Sequence, residues 1–257
     1  MELRSTFDDT AALYHRARPG YPDDLFRDVF EITRLAPPAR LLEVGPGTGI
    51  ATLVLAERGF EIVGVELAEE MAEAARRNVE SWEAVEIVTG SFETFTGEGG
   101  FDAVYAFSAF HWIDPSLAYQ RAAGLLKEPG FLIVADARYV SPEDGDPFFV
   151  EVAEDHEAVL GELAHEPGAP GLRSLRDEMN DSKLFSHIGE RRYRWHVAYT
   201  ANSYTDLLDT LPWYRALPPS ERAELYERIR SRIRKRPSGE IRQTLDARLD
   251  IARRRPR

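Results

Sequence analysis

Three glycines and a proline fall within five residues, Gly45-Pro46-Gly47-Thr48-Gly49, directly after the apolar run "ARLLEV". Glycine reaches positive φ at little steric cost and lets a bound molecule approach the main chain within van der Waals distance. Where a helix follows such a loop, its first N–H groups lack intrahelical partners and face the same space. Glu66 stands 21 residues after Gly45, at the end of the next apolar run. A carboxylate in that place accepts hydrogen bonds from both hydroxyls of a ribose. Loop and acid therefore predict a nucleoside-containing ligand. The dinucleotide pattern G-x-G-x-x-G fails, because its third glycine would fall on Ile50. No Gly-Lys-Ser/Thr follows, which excludes a P-loop.

A second chemical candidate is His111 in "SAFHWIDP". A histidine just after a strand can take a proton from a reacting group or orient it; the alternative is a histidine that packs the loop. Its neighbour Trp112 offers an aromatic face to a cation, or serves as lid or core packing. The pair His156 and His165 is nine residues apart, which does not suit one helical face, and no H-E-x-x-H occurs. With no cysteine in the chain, thiolate metal sites, disulfides and cysteine nucleophiles are excluded. We expect no metal.

These residues are set on alternating elements. "ARLLEVG", "EIVGVEL", "VEIVTGS", "FDAVYAFSAF" and "GFLIVADA" read as strands. "GIATLVLAERG", "AEEMAEAARRNVE" and "DPSLAYQRAAGLLK" read as the helices between them, the last with Asp114 as N-cap and Pro115 in its first turn. Strands alternating with helices predict right-handed crossovers and a parallel sheet covered on both faces. Residues 1–38 read as helices laid over this core, with Pro37-Pro38 before the first strand. Residues 139–190 are acid- and loop-rich and read as a helical insertion or lid. Residues 191–257 supply strands and a helix that complete the sheet, "RRYRWHVAYT", "SERAELYERIRSRIRKR" and "IRQTLDARLDIAR".

A hydrophobic content of 43% suffices for a sizeable core. The net charge of −12 argues against a general nucleic-acid binder. Residues 221–257 nevertheless carry 13 Lys and Arg against 6 Asp and Glu, which reads as a solvated helix face with a basic tail. The opening "MELRSTFDDT" has no apolar signal core and no long apolar run occurs, so a cytoplasmic protein without a membrane segment is expected. Oligomeric state is not legible.

"LLEVGPGTGIAT", "GVELAEEM" and "FDAVYAFSAFHWIDP" resemble the sequential motifs of class I S-adenosylmethionine-dependent methyltransferases, above all the small-molecule methyltransferases that open with a "YHRARPGYP"-like segment. The core motifs span residues 39–138, and the N-terminal segment extends the match to about residue 7. The resemblance implies a Rossmann-like, doubly wound, mostly parallel seven-stranded sheet with an antiparallel last strand. It implies S-adenosyl-L-methionine as cofactor and in-line transfer of its methyl group to a small organic acceptor. Glu43, Gly45, Gly47, Thr48 and Gly49 would hold the methionine part, Glu66 the ribose, and Leu67 would lie against the adenine. Ser91 and Phe92 would border the adenine, with Ser91 where many relatives carry an acid. Ala106 and Phe107 would line the methionine side, and Tyr14, Arg18 and Tyr21 would close the pocket. An RNA or protein methyltransferase, a non-catalytic cofactor-binding regulator and a nicotinamide oxidoreductase are the alternatives.

Overall fold

The computed structural model describes residues 11–161 and 174–256. The opening decapeptide, His165 and the middle of the expected insertion lie outside the described residues.

Five strands, β1 (Arg40–Val44), β2 (Glu61–Glu66), β3 (Val85–Thr89), β4 (Phe101–Phe107) and β5 (Leu126–Val140), pair in parallel. Two long strands, β6 (Phe185–Thr200) and β7 (Glu240–Arg254), complete a seven-stranded sheet of order β3-β2-β1-β4-β5-β7-β6. β7 runs antiparallel to both β5 and β6. The strand order reverses between β1 and β4, so a crevice opens beyond their carboxyl ends, where the crossovers diverge to opposite faces. The glycine loop leaves β1 into that crevice.

The helices form for local reasons. Asp23 and Asp24 favour the first turn of α2 (Asp23–Thr33), after the shorter α1 (Ala11–Ala17). Gly49 introduces α3 (Ile50–Ala56), and Glu69 and Glu70 open α4 (Glu69–Asn78). The Asp114 carboxylate accepts from the Ser116 N–H at 2.9 Å and caps α5 (Pro115–Leu125), as its sequence predicts. α2 and α3 cover one face of the sheet through Phe26, Leu55 and Ile133, while α5 covers the other through Tyr119, Ala122 and Leu132.

Between β5 and β6 lie α6 (Phe148–Leu160) and α7 (Arg176–Asp181). β6 begins at Phe185, ahead of the alternating stretch that starts at Arg191. The register shifts between His187 and Gly189, and this irregularity breaks the period-2 pattern in the first part of the strand. α8 (Ala201–Leu208), α9 (Pro212–Arg215) and α10 (Pro219–Arg234) follow. They pack with α6 around Phe148, Tyr204, Leu225 and Ile229 as a helical layer near the carboxyl end of β6. Tyr199, Tyr204 and Tyr214 are buried in this layer.

Candidate functional site

The loop adopts the backbone that its composition predicts. Gly45, Gly47 and Gly49 have φ of +66°, +59° and +86°, a region that side chains rarely enter. At Gly45 a Cβ would lie 2.6 Å from the Ala109 Cβ, so the turn after β1 and the turn after β4 touch through the missing side chain.

Glu66 ends β2 with its carboxylate held at both oxygens. The Gly47 N–H donates to Oε2 at 2.8 Å and the Ala68 N–H to Oε1 at 3.0 Å. The acid and the glycine loop are thus one unit. A cavity opens on this unit, lined by Gly45, Gly47, Glu66, Leu67, Ser91 and Phe92, with Met71 and Ile113 as further apolar wall. Trp112 stands on its rim, 41% exposed. Glu93 also lines it, close-bonded to the Ser91 hydroxyl. The cavity therefore has a carboxylate two residues after the position that Ser91 occupies.

A second cavity shares Tyr14, Gly45, Gly47 and Ser108 with the first and continues past Glu43, Arg18, Tyr21 and Phe107 to Tyr139 and Trp195. Glu43 is buried, and its Oε2 accepts from the Thr52 and Tyr105 hydroxyls at 2.5 and 2.6 Å. Burial pushes its carboxyl up to about 7, against those two bonds and with the nearby charge of Glu66 adding to the rise. Arg18 donates through Nη2 to the Thr210 carbonyl and lies over the Tyr14 ring at 4.9 Å. Its buried Nε has no hydrogen-bond partner. Tyr21 donates to the Ser108 hydroxyl at 2.8 Å, and Ser108 holds a φ of +55° at the end of β4.

A family model described as a methyltransferase domain matches residues 42–134, the stretch that carries the glycine loop, Glu66 and β4. An uncharacterized methyltransferase of Mycobacterium tuberculosis is 27% identical over 240 residues, 92% of this chain and 89% of its own length. Residues 42–134 thus carry a methyltransferase domain, and the chain is similar over most of its length to a methyltransferase. Solved structures agree on the fold. The YcgJ protein from Bacillus subtilis superposes with a TM-score of 0.55 at 18% identity, covering 92% of this chain and all of its own. A phospholethanolamine N-methyltransferase from Haemonchus contortus, solved with phosphomonomethylethanolamine and S-adenosylhomocysteine, superposes with a TM-score of 0.56 at 15% identity, covering 100% of this chain and 61% of its own.

Not every expected site residue of this methyltransferase lines the two cavities. Thr48 is fully buried behind the loop, where its hydroxyl meets His15 Nδ1 at 3.0 Å. Gly49 caps α3, and Ala106 is buried inside β4. His111 sits on a 3-10 turn (Phe110–Trp112) outside the lining residues, with Nδ1 3.1 Å from Asp136 Oδ1. His156 is a buried histidine of α6, 3.0 Å from the Tyr214 hydroxyl. His187, Glu190 and Asp250 converge in β6 and β7, but Arg248 bridges Glu190 and Asp250, so their charge serves an ion-pair network. His15, Glu93 and Asp136 escape a reading of the sequence, because their partners are brought to them by the fold or, for Glu93, by an acid set two places late.

Proposed function

We propose that this methyltransferase binds S-adenosyl-L-methionine across the two joined cavities and transfers its methyl group to a small organic acceptor by in-line displacement. The observation that carries the reading is the Glu66 carboxylate, fixed by the Gly47 and Ala68 N–H groups on the floor of a cavity. A carboxylate at this strand end, beside the glycine loop, suits two ribose hydroxyls. Leu67 and Phe92 give the adenine apolar walls, and Glu93 takes the place of the acid missing at Ser91 as acceptor for the exocyclic amino group.

The second cavity suits a zwitterion. Arg18, with its unpaired Nε, is the group for the methionine carboxylate, and Glu43 faces the cationic part. The bound cofactor supplies an activated methyl carbon on a sulfonium. The protein's own contribution is placement, which for a well-oriented pair is worth roughly 7–11 kcal/mol. Tyr14 and Tyr21, from the N-terminal segment, cover the site, while Tyr139 and Trp195 extend it toward the helical layer, the side we assign to the acceptor. This concave, aromatic-walled space favours a small acceptor over a polymer. The ligands of the Haemonchus enzyme, themselves small, accord with this. No described helix is long and apolar enough to cross a membrane. The reading places the enzyme in the cytoplasm, with which a cysteine-free chain is compatible.

Calorimetry tests the cofactor. S-adenosylmethionine and S-adenosylhomocysteine are expected to bind and NAD is not; heat with NAD and none with either sulfur compound would overturn the assignment. Glu66→Ala is expected to weaken binding by roughly 1.5–3 kcal/mol, the scale of hydrogen bonds to a charged group. Radiolabelled cofactor offered with a small-molecule extract, with RNA and with whole protein tests the acceptor, and label is expected only in the first.

A further inference from the structure

His111 and Asp136 form a pair that the functional reading above leaves without a task. His111 stands on the turn after β4, and Asp136 follows Ala135, the residue that pairs with the last residue of β4, Phe107. Their side chains are 45% and 29% exposed. An exposed ion pair of this kind contributes only about 0–1 kcal/mol to stability, so the fold gives little reason for it. Trp112, whose ring lies 4.9 Å from the imidazole, is on the rim of the first cavity, and Ser108 and Ala109 of the same turn line it. The pair therefore adjoins residues that line the first cavity.

We propose that Asp136 is a positioning residue that makes His111 a base, and that the acceptor accordingly presents an O–H or N–H whose proton is lost during transfer. The proposal rests on the methyltransferase reading and specifies the acceptor class. With Asp136 accepting from Nδ1–H, the imidazole keeps its lone pair on Nε2. Among the groups around the pair, Arg138 lines the second cavity and its buried Nε has no hydrogen-bond partner, while the others are engaged. Asp114 accepts from Ser116, and Tyr21 donates to Ser108. Arg138, two residues on along the same face of β5, is registered with Asp246 on β7, which Arg194 holds at 2.7 and 2.9 Å. In the step itself the acceptor's proton passes to Nε2, and the acceptor's electron pair forms the bond to the methyl carbon. The carbon–sulfur bond breaks with its pair returning to sulfur, which becomes a neutral thioether. The imidazolium remains beside the Asp136 carboxylate until solvent takes the proton. An acceptor that reacts through a carboxylate is already ionised and needs no such pair.

The test uses Asp136→Asn and Asp136→Glu in the full chain. Nitrogen NMR reads which ring nitrogen of His111 carries the proton, and the rate of label transfer to a small-molecule extract is measured for each variant. Replacing the carboxylate by an amide is expected to release the Nδ1–H tautomer and reduce the rate on the order of 10²-fold. Asp136→Glu is expected to restore most of the rate, and cofactor affinity and melting temperature are expected to stay at the parent's values. A parental His111 that carries its proton on Nε2 overturns the proposal. So does an Asp136→Asn variant whose His111 tautomer and rate match the parent's, or one that loses melting temperature alone. Failure to bind either sulfur compound would instead strike the functional reading. Cofactor binding without label transfer to any small molecule would remove the acceptor, and this proposal with it.

Discussion

Glu43 is the residue whose chemistry has most to reveal. Its carboxyl, raised to about 7 by burial, is partly protonated near neutral pH. A cation placed before it favours the ionised form, so the pKa falls and a proton leaves. Binding of S-adenosylmethionine near pH 7 is expected to release protons, seen as a heat that depends on the ionisation enthalpy of the buffer, and Glu43→Gln is expected to abolish that dependence. S-adenosylhomocysteine, which lacks the sulfonium, should release fewer. The same shift has a stability counterpart. From the ordinary value of 4.5 up to about 7 the folded chain holds more protons than the unfolded one, so this residue lowers stability as pH rises through that window. Glu43→Gln should flatten the melting curve there. The part of the site written in local spacing, the glycines and Glu66, was legible in the sequence because a loop at a strand end and an acid at the next strand end are near neighbours in chain order. Asp136 was not: it lies 25 residues from His111, and only the β4–β5 pairing brings them together.

At the scale of elements, α1 acts as a strap. His15 reaches Thr48 Oγ1 at 3.0 Å, and the Asn78 amide of α4 lies 3.1 Å from the same nitrogen while donating to the Thr48 carbonyl at 2.9 Å. On the other side Arg18 bonds the Thr210 carbonyl just past α8. Burial pushes the His15 pKa below its ordinary 6.5, opposed by a hydrogen bond to Thr48. A neutral, half-buried imidazole is stabilising above the unfolded value, and its contribution fades as pH falls through 6.5 toward the lower folded value. His15→Gln should therefore make the melting temperature less sensitive to acid below about pH 6.5, and it should weaken cofactor binding by about 1 kcal/mol through a looser loop. The parallel core was legible because five apolar runs alternate with helical ones at regular spacing. The start of β6 was not, because the irregularity near Gly189 interrupts its alternation.

For the whole molecule, the basic stretch at residues 221–257 invites a nucleic-acid reading that its ion pairs argue against. Arg232 meets Asp155 at 2.6 Å and Glu154 at 3.3 Å, Arg236 meets Asp146 at 2.5 Å, and Arg228 and Arg234 pair with Glu224 and Glu227 of their own helix. Charges spent on α6, on Asp146 just before it and on α10 itself are not offered to phosphates. Gel-shift titration with single-stranded RNA at about 150 mM salt, where the Debye length is ≈ 8 Å, is expected to show no retained complex; a salt-resistant complex would revive the polymer reading. The strap has a further consequence in time. A ribosome delivers α1 first, yet its anchor at Thr210 arrives only after nearly two hundred further residues. The glycine loop and Glu66 can take shape while the chain is still being made, but the cover over them has nothing to hold until α8 emerges. A nascent chain halted before α8 should let its nucleoside ligand go quickly, and slow release should begin only with the final helices in place.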